Sequence, residues 1–353
     1  MEFGMLHLFE NPVNKTEREI IKEQMELMMA AESLGFDSTW PAEHHFSEYG
    51  FCGSPQLTLA AIAQRTSRIR LGTGVVVLPF HHPLRVAEDF AFLDQMSDGR
   101  VSLGLGRGYQ PLEYRGFGVD QTASREIFRE GVEIIRQAWT QDRVNFKGTH
   151  YSIEDLEVRP HPFQKPTPPM YSAVLSPESF RMAGRSGMNL MMSAAFGATP
   201  EQAQTGIAEY RSGREEAGLD PQGGKIACLL MVYVADSIDR AHKEFKDPVE
   251  WYYSTIAKYV ADKGKVVKGY EMYSKTQALA KNLTFEALLG GTSMVCGDSD
   301  HCAERLSSLA RSYGFDELLT WTRLGGMETK KVLHSMELLS DAVMPKVRKI
   351  LDS

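Results

Sequence analysis

The chain has 353 residues, 42% of them hydrophobic and 24% charged, with a formal net charge of −7 at pH 7. That length supports one large α/β domain or two ordinary ones, and a mild acidic balance without a basic block argues against nucleic acid as the main partner. The four cysteines (Cys52, Cys228, Cys296, Cys302) form no CxxC pair, the first residues carry no basic leader, and no apolar run reaches the roughly 18 residues of a membrane span, so a cytoplasmic protein with no membrane segment is expected.

The first element is FGMLHLF at 3–9, a short apolar strand, followed by Thr16 and a helix-spaced run that stops at Gly35. DSTWPAEHH gives a second strand and SPQLTLAAIAQRTS a helix rich in small residues. IRLGTGVVVLP is the third strand, with a helix closed by Asp98-Gly99; RVSLGLG is the fourth, followed by ASREIFREGVEIIRQAWTQ. After a Pro- and His-rich pause at 157–169, PMYSAVL leads into a helix at 177–186, NLMMSA into one at 200–217, and KIACLLMVYVAD into one at 237–260. DELLTW at 316–321 precedes the last helix, at 328–349. Eight strand–helix units in unbroken alternation predict a parallel sheet closed as a (β/α)8 TIM barrel, a single domain over 1–353, with a doubly wound sheet as the alternative. The Lys- and Tyr-rich stretch 258–290 interrupts the pattern before the last strand and is expected to be a mobile lid or a helical embellishment.

In such a barrel the chemistry sits at the C-terminal ends of the strands. Read in order, those ends carry Glu43-His44-His45, Pro79 to His82, Gly106-Arg107-Gly108-Tyr109, Ser176 to Ser179, and Ser193. Gly72 and Gly74 share one face of the third strand; Ser102, Gly104 and Gly106 share one face of the fourth. Such rows either bare the backbone for a flat ligand or make room for neighbouring core side chains. Ser176 and Pro177 read as the cap and first residue of a helix, whose free N–H groups attract anions; with Ser179 and Arg107 nearby, a phosphomonoester pocket is expected. Gly104-x-Gly106-x-Gly108 is not a dinucleotide fingerprint. His44 with His45, and His81 with His82, are sequence neighbours whose side chains diverge, which makes a metal centre the minor alternative.

The stretches FDSTWPAEHHFSEYG, LGTGVVVLPFHHPLRVAEDFAFLDQMSDGR and LGLGRGY, with SPES and MELLSDAVMPKV further on, carry a resemblance. The chain resembles the luciferase-like flavin monooxygenases, most closely the bacterial luciferase subunits among them. The resemblance implies a barrel that binds reduced FMN, supplied by a separate NAD(P)H:flavin reductase, and reacts with O2 to form a C4a-peroxyflavin that oxygenates a small organic substrate (aldehyde, ketone or aromatic). It implies a dimer as well. By position it makes His44 the histidine that assists proton transfer, Arg107, Ser176 and Ser179 the phosphate contacts, and Gly74-Val75 a non-proline cis peptide beneath the flavin. Gly106 and Ser193 fall beside the ring, while His45, His81, Glu88 and Asp89 fall near the subunit contact. Gly106 stands where the light-emitting subunit has a reactive cysteine and Leu175 where it has a glutamate, departures that bear on luminescence and on the phosphate site. Rival readings are an F420-dependent oxidoreductase, a non-catalytic subunit and a metal hydrolase.

Overall fold

The computed structural model describes residues 1–260, 267, 270 and 283–353. Among these, eight parallel staves close on themselves: β1 (Glu2–His7), β2 (Ser38–Pro41), β3 (Arg70–Gly72) continued by β4 (Val76–Val77), β5 (Val101–Gly106), β8 (Met170–Ala173), β9 (Asn189–Ser193), β10 (Ile226–Val234) and β12 (Glu317–Trp321). Closure is made where Glu2 faces Glu317 and where Ile226 faces Leu190. Helices ring this barrel, so the fold is the expected (β/α)8 TIM barrel. All eight staves fall where the sequence places them. Elements not foreseen include the antiparallel hairpin of β6 (Val144–Lys147) and β7 (Ser152–Leu156), strand β11 (Met294–Gly297), a helix at Ser299–Tyr313 and the short helix at Pro111–Phe117. Strand β11 pairs with the outer half of β10, which at nine residues outruns the barrel wall.

The floor of the site is a packed layer. Trp40 donates to Ser38 Oγ at 2.7 Å, Ser38 donates to buried Glu317 at 2.6 Å, and Arg70 reaches Ser102 Oγ at 3.0 Å. Glycines make the room for it: a Cβ on Gly72 would lie 2.2 Å from the Trp40 ring, and one on Gly104 only 1.9 Å from the Thr73 carbonyl oxygen. A flat ligand bed on those two glycines is therefore not what the structure has; they make way for core side chain and backbone.

Helix starts follow their caps. Thr16 and Glu19 form a reciprocal capping box on α1 (Glu17–Ser33), and Ser54 caps α2 (Pro55–Ala63). α3 (Pro83–Met96) packs beside α2, and α4 (Pro111–Phe117) follows β5 directly. α5 (Ser124–Thr140), α6 (Pro177–Arg185), α7 (Pro200–Glu216) and α8 (Ile238–Tyr259) complete the ring with the C-terminal helices. Most of 258–290, expected as a lid, lies outside the described residues; Tyr270 and Phe285–Leu289, a short helix, are among those described. Among the described residues no helix is long and apolar enough to cross a membrane.

Candidate active site

The C-terminal strand ends open into a cavity of about 680 Å³ whose wall includes His44, Gly74, Val75, Gly106, Arg107, Ser176, Ser179 and Ser193. Every residue singled out in the sequence as catalytic or cofactor-binding thus meets in one space.

His44 leaves β2 into this space. Its Nδ1 lies 2.9 Å from Oε1 of Glu113, which sits fully buried in the first turn of α4 and accepts the backbone N–H of His45 through the same oxygen. A carboxylate takes the Nδ1 proton, so Nε2, which has no hydrogen-bond partner among the described residues, is the nitrogen free to exchange a proton. Gln110 Nε2 touches the same Nδ1 at 3.3 Å. His45 turns the other way, as expected. Its Nε2 donates at 2.9 Å to Glu43, whose Oε1 also accepts His81 Nε2 at 2.8 Å and whose Oε2 accepts the Val77 amide at 2.8 Å. Burial opposes ionisation of Glu43, but the His45 and His81 hydrogen bonds and the His81 charge outweigh it and hold the carboxyl below its ordinary range. Burial likewise opposes the protonated His81 ring, and the bond to Glu43 overcomes it, raising the ring's pKa.

The peptide between Gly74 and Val75 is cis, as expected from position. Its ends are held by Gly74 N–H donating to Pro41 and Glu43 N–H donating to Val75 O. A Cβ on Gly106 would stand 2.5 Å from Val75 Cγ2, so that glycine gives the Val75 side chain its place. Nearby, Ser193 Oγ is buried without a hydrogen-bond partner among the described residues.

Directly after Gly106, Arg107 leaves β5 with its guanidinium 4.9 Å from the centre of the Tyr270 ring. No carboxylate pairs with it among the described residues. Tyr270 is fixed by hydrogen bonds to Ser124 Oγ (2.9 Å) and Tyr114 OH (3.0 Å). Ser176 caps α6: its Oγ accepts Ser179 N–H at 3.3 Å, while Ser179 Oγ donates to the Ser176 carbonyl at 2.6 Å. The Ser179 hydroxyl proton is thereby committed inside the cap, leaving Ser176, Arg107 and the first-turn amide of Glu178 as the better anion contacts. Arg125 on α5, which pairs with Glu178, brings a second guanidinium to this end.

The sequence did not single out Glu113, Gln110, Tyr49, Arg125 and Trp321. Of these only Glu113 left a signal, as an acid just past GRGY; Tyr49 shares the loop after β2 with His44, and Trp321 reaches the cavity from β12, a closure no local pattern reveals.

Comparison with known proteins follows the same line. Residues 1–317 match the family model of luciferase-like monooxygenases. Over 99% of both chains this one is 27% identical to an alkanal monooxygenase alpha chain of the Kryptophanaron alfredi symbiont. It is 26% identical to the oxygenase component of a flavin-dependent trigonelline monooxygenase from Acinetobacter baylyi, over 98% of this chain and 95% of that one. Its fold superposes with a TM-score of 0.82, at 20% identity and over 98% of each chain, on the oxygenating constituent of 3,6-diketocamphane monooxygenase from Pseudomonas putida, a type II Baeyer-Villiger monooxygenase in complex with FMN.

Proposed function

The chain belongs to the luciferase-like monooxygenase family and is an oxidoreductase, and from that premise we propose that it binds reduced FMN in this cavity and uses dioxygen to oxygenate a small organic substrate. One observation carries the reading: a single cavity joins an arginine without a carboxylate partner among the described residues, set at a helix N-terminus, to a histidine whose far nitrogen is fixed by a buried carboxylate.

The residues fit the group. Arg107, Ser176 and the Glu178 amide would hold the phosphate, with Arg125 able to leave Glu178 for it; charged hydrogen bonds of this kind contribute roughly 1.5–3 kcal/mol each. Ser193, with its unsatisfied Oγ, would meet a polar edge of the ring, and Gly74, Val75 and Gly106 would lie along it. Bound reduced flavin supplies the electrons that activate dioxygen. The chain's part is then to orient, to exclude water and to manage one proton. His44 Nε2 takes or gives that proton, while Glu113 keeps the ring's other nitrogen protonated and its plane fixed. Met191, Met192, Phe196 and Leu229 surround the site with apolar surface, which keeps stray protons away from the reacting oxygen.

A separate reductase as flavin donor fits a chain without a dinucleotide fingerprint, and the trigonelline enzyme's description as an oxygenase component supports that division. A cytoplasmic setting suits four free, buried cysteines. A homodimer through α2 and α3 suits the large apolar side chains those helices expose: Leu57, Phe92 and Met96.

The test is oxygen consumption with reduced FMN against a panel of aldehydes, ketones and aromatics, scoring oxygenated product against hydrogen peroxide. Product from at least one class is expected. Turnover with reduced F420 and none with reduced FMN would overturn the reading.

A further inference from the structure

Three tyrosines join their hydroxyls in a chain on one side of the cavity. Tyr109 donates to Tyr49 at 2.9 Å, and Tyr49 and Tyr252 share a hydrogen bond at 3.2 Å. Tyr49 and Tyr109 line the cavity and hold the His44 ring between them, with centroids 4.9 and 5.8 Å away; Tyr252 stands behind, edge-on to Trp321 at 4.5 Å. Burial pushes all three phenols well above their ordinary range, so they act as neutral donors.

Donor arithmetic leaves one proton over. Three phenols bring three O–H groups, and the two bonds between them use two. If Tyr252 donates to Tyr49, the remaining O–H is that of Tyr49, on the cavity wall; if Tyr49 donates, it is that of Tyr252, away from the cavity. An acceptor beside Tyr49 selects the first arrangement, and the two hydroxyls donating into Tyr49 strengthen its own bond.

The rest of this wall is uncharged: Leu6, Leu8, Phe196, Leu229, Leu319 and Trp321. The carboxylate of Glu43 also borders the cavity, but both its oxygens are taken by His45, His81 and Val77. A charged substrate would lose its hydration here without a counter-charge, and a purely aliphatic one would leave the Tyr49 donor desolvated and unpaired. Around the barrel, the β12 and β1 ends that carry Leu319, Trp321 and Leu6 lie across from the β5 and β8 ends that carry Arg107 and Ser176, while Phe196 follows β9 and Tyr109 follows β5 itself.

We propose that the second ligand of the cavity is an uncharged aromatic compound with a carbonyl oxygen, its ring against Trp321 and Phe196 and its oxygen accepting from Tyr49 beside His44. This rests on the reading that FMN occupies the Arg107 end.

The full chain, saturated with oxidised FMN, is titrated calorimetrically with 1-acetylnaphthalene, 1-ethylnaphthalene, 1-naphthoate and decanal. FMN binding is measured first, so failure of the flavin reading shows there and separately. The acetyl compound is expected to bind at least tenfold tighter than each of the other three. Tyr49→Phe should bring it within twofold of the ethyl compound with FMN still bound, and Tyr252→Phe, outside the cavity, should reduce the preference severalfold. Equal binding of acetyl and ethyl compounds, tightest binding of decanal or naphthoate, or a preference that survives Tyr49→Phe would overturn the proposal.

Discussion

His44 and Glu113 are joined at 2.9 Å from Nδ1 to Oε1, across 69 positions of sequence, and the same carboxylate oxygen holds the backbone N–H of His45. One buried acid thereby fixes the ring, its tautomer and the turn that carries both histidines.

Removing that acid is expected to act through His44. Glu113→Ala should forfeit part of the roughly 10²–10⁴-fold that general acid–base help provides. Glu113→Gln keeps an acceptor and should retain more. Turnover measured on both variants decides, and an unaltered rate in both would contradict the role.

The two histidines should part ways under substitution. His44→Ala should cut oxygenation at least about a hundredfold, with the fold intact. His45→Ala removes one of the two imidazoles on Glu43 and opens a gap beside Phe117, whose ring centroid is 4.7 Å away, so thermal stability should fall instead. Thermal denaturation and turnover, measured on both, decide; like behaviour would sink the division.

How much of this was legible depended on how local the cause was. Strand and helix order, the Ser176 cap and the convergence of His44 and Arg107 follow from periodicity and from where barrel loops lie. The Gly72 and Gly104 row misled, because an absent side chain looks the same whether a ligand or Trp40 and the Thr73 carbonyl fills its place. The Glu113–His44 bond and the bonds between tyrosine hydroxyls could not be read: each joins residues from different strand–helix units, and only the closed barrel sets their distance. β11 was missed because it is four residues long and pairs outside the regular beat.

Glu10, buried beside Arg323, supplies a pH test. Burial pushes its carboxyl up to about 8, against the Arg323 charge and the amides of Gly325 and Gly326. The fold therefore keeps a proton that the unfolded chain releases above about 4.5, and stability falls as pH rises through that window. Glu10→Gln should abolish this slope and be the more stable protein at pH 8.5, by roughly a few kcal/mol. Urea denaturation at pH 5 and 8.5 measures it; parallel loss in both proteins would contradict it.

For the dimer, Phe92 on α3 is 59% exposed and Leu57 on α2 is 72% exposed. Sedimentation is expected to show a dimer at micromolar concentration, and Phe92→Glu should shift it toward monomer without unfolding. A wild-type protein that sediments only as monomer would count against that surface.

The central claim is that the Arg107 end of the cavity receives the flavin phosphate, and anaerobic titration with reduced FMN and reduced riboflavin tests it most directly. Riboflavin has the same ring and no phosphate, so the ratio of the two affinities isolates the anion contacts. The wild-type protein should prefer FMN by at least tenfold, about 1.4 kcal/mol, and Arg107→Ala should bring the two within about twofold by weakening FMN alone. Equal affinity in the wild type, or a preference for FMN that persists in Arg107→Ala, would contradict the assignment.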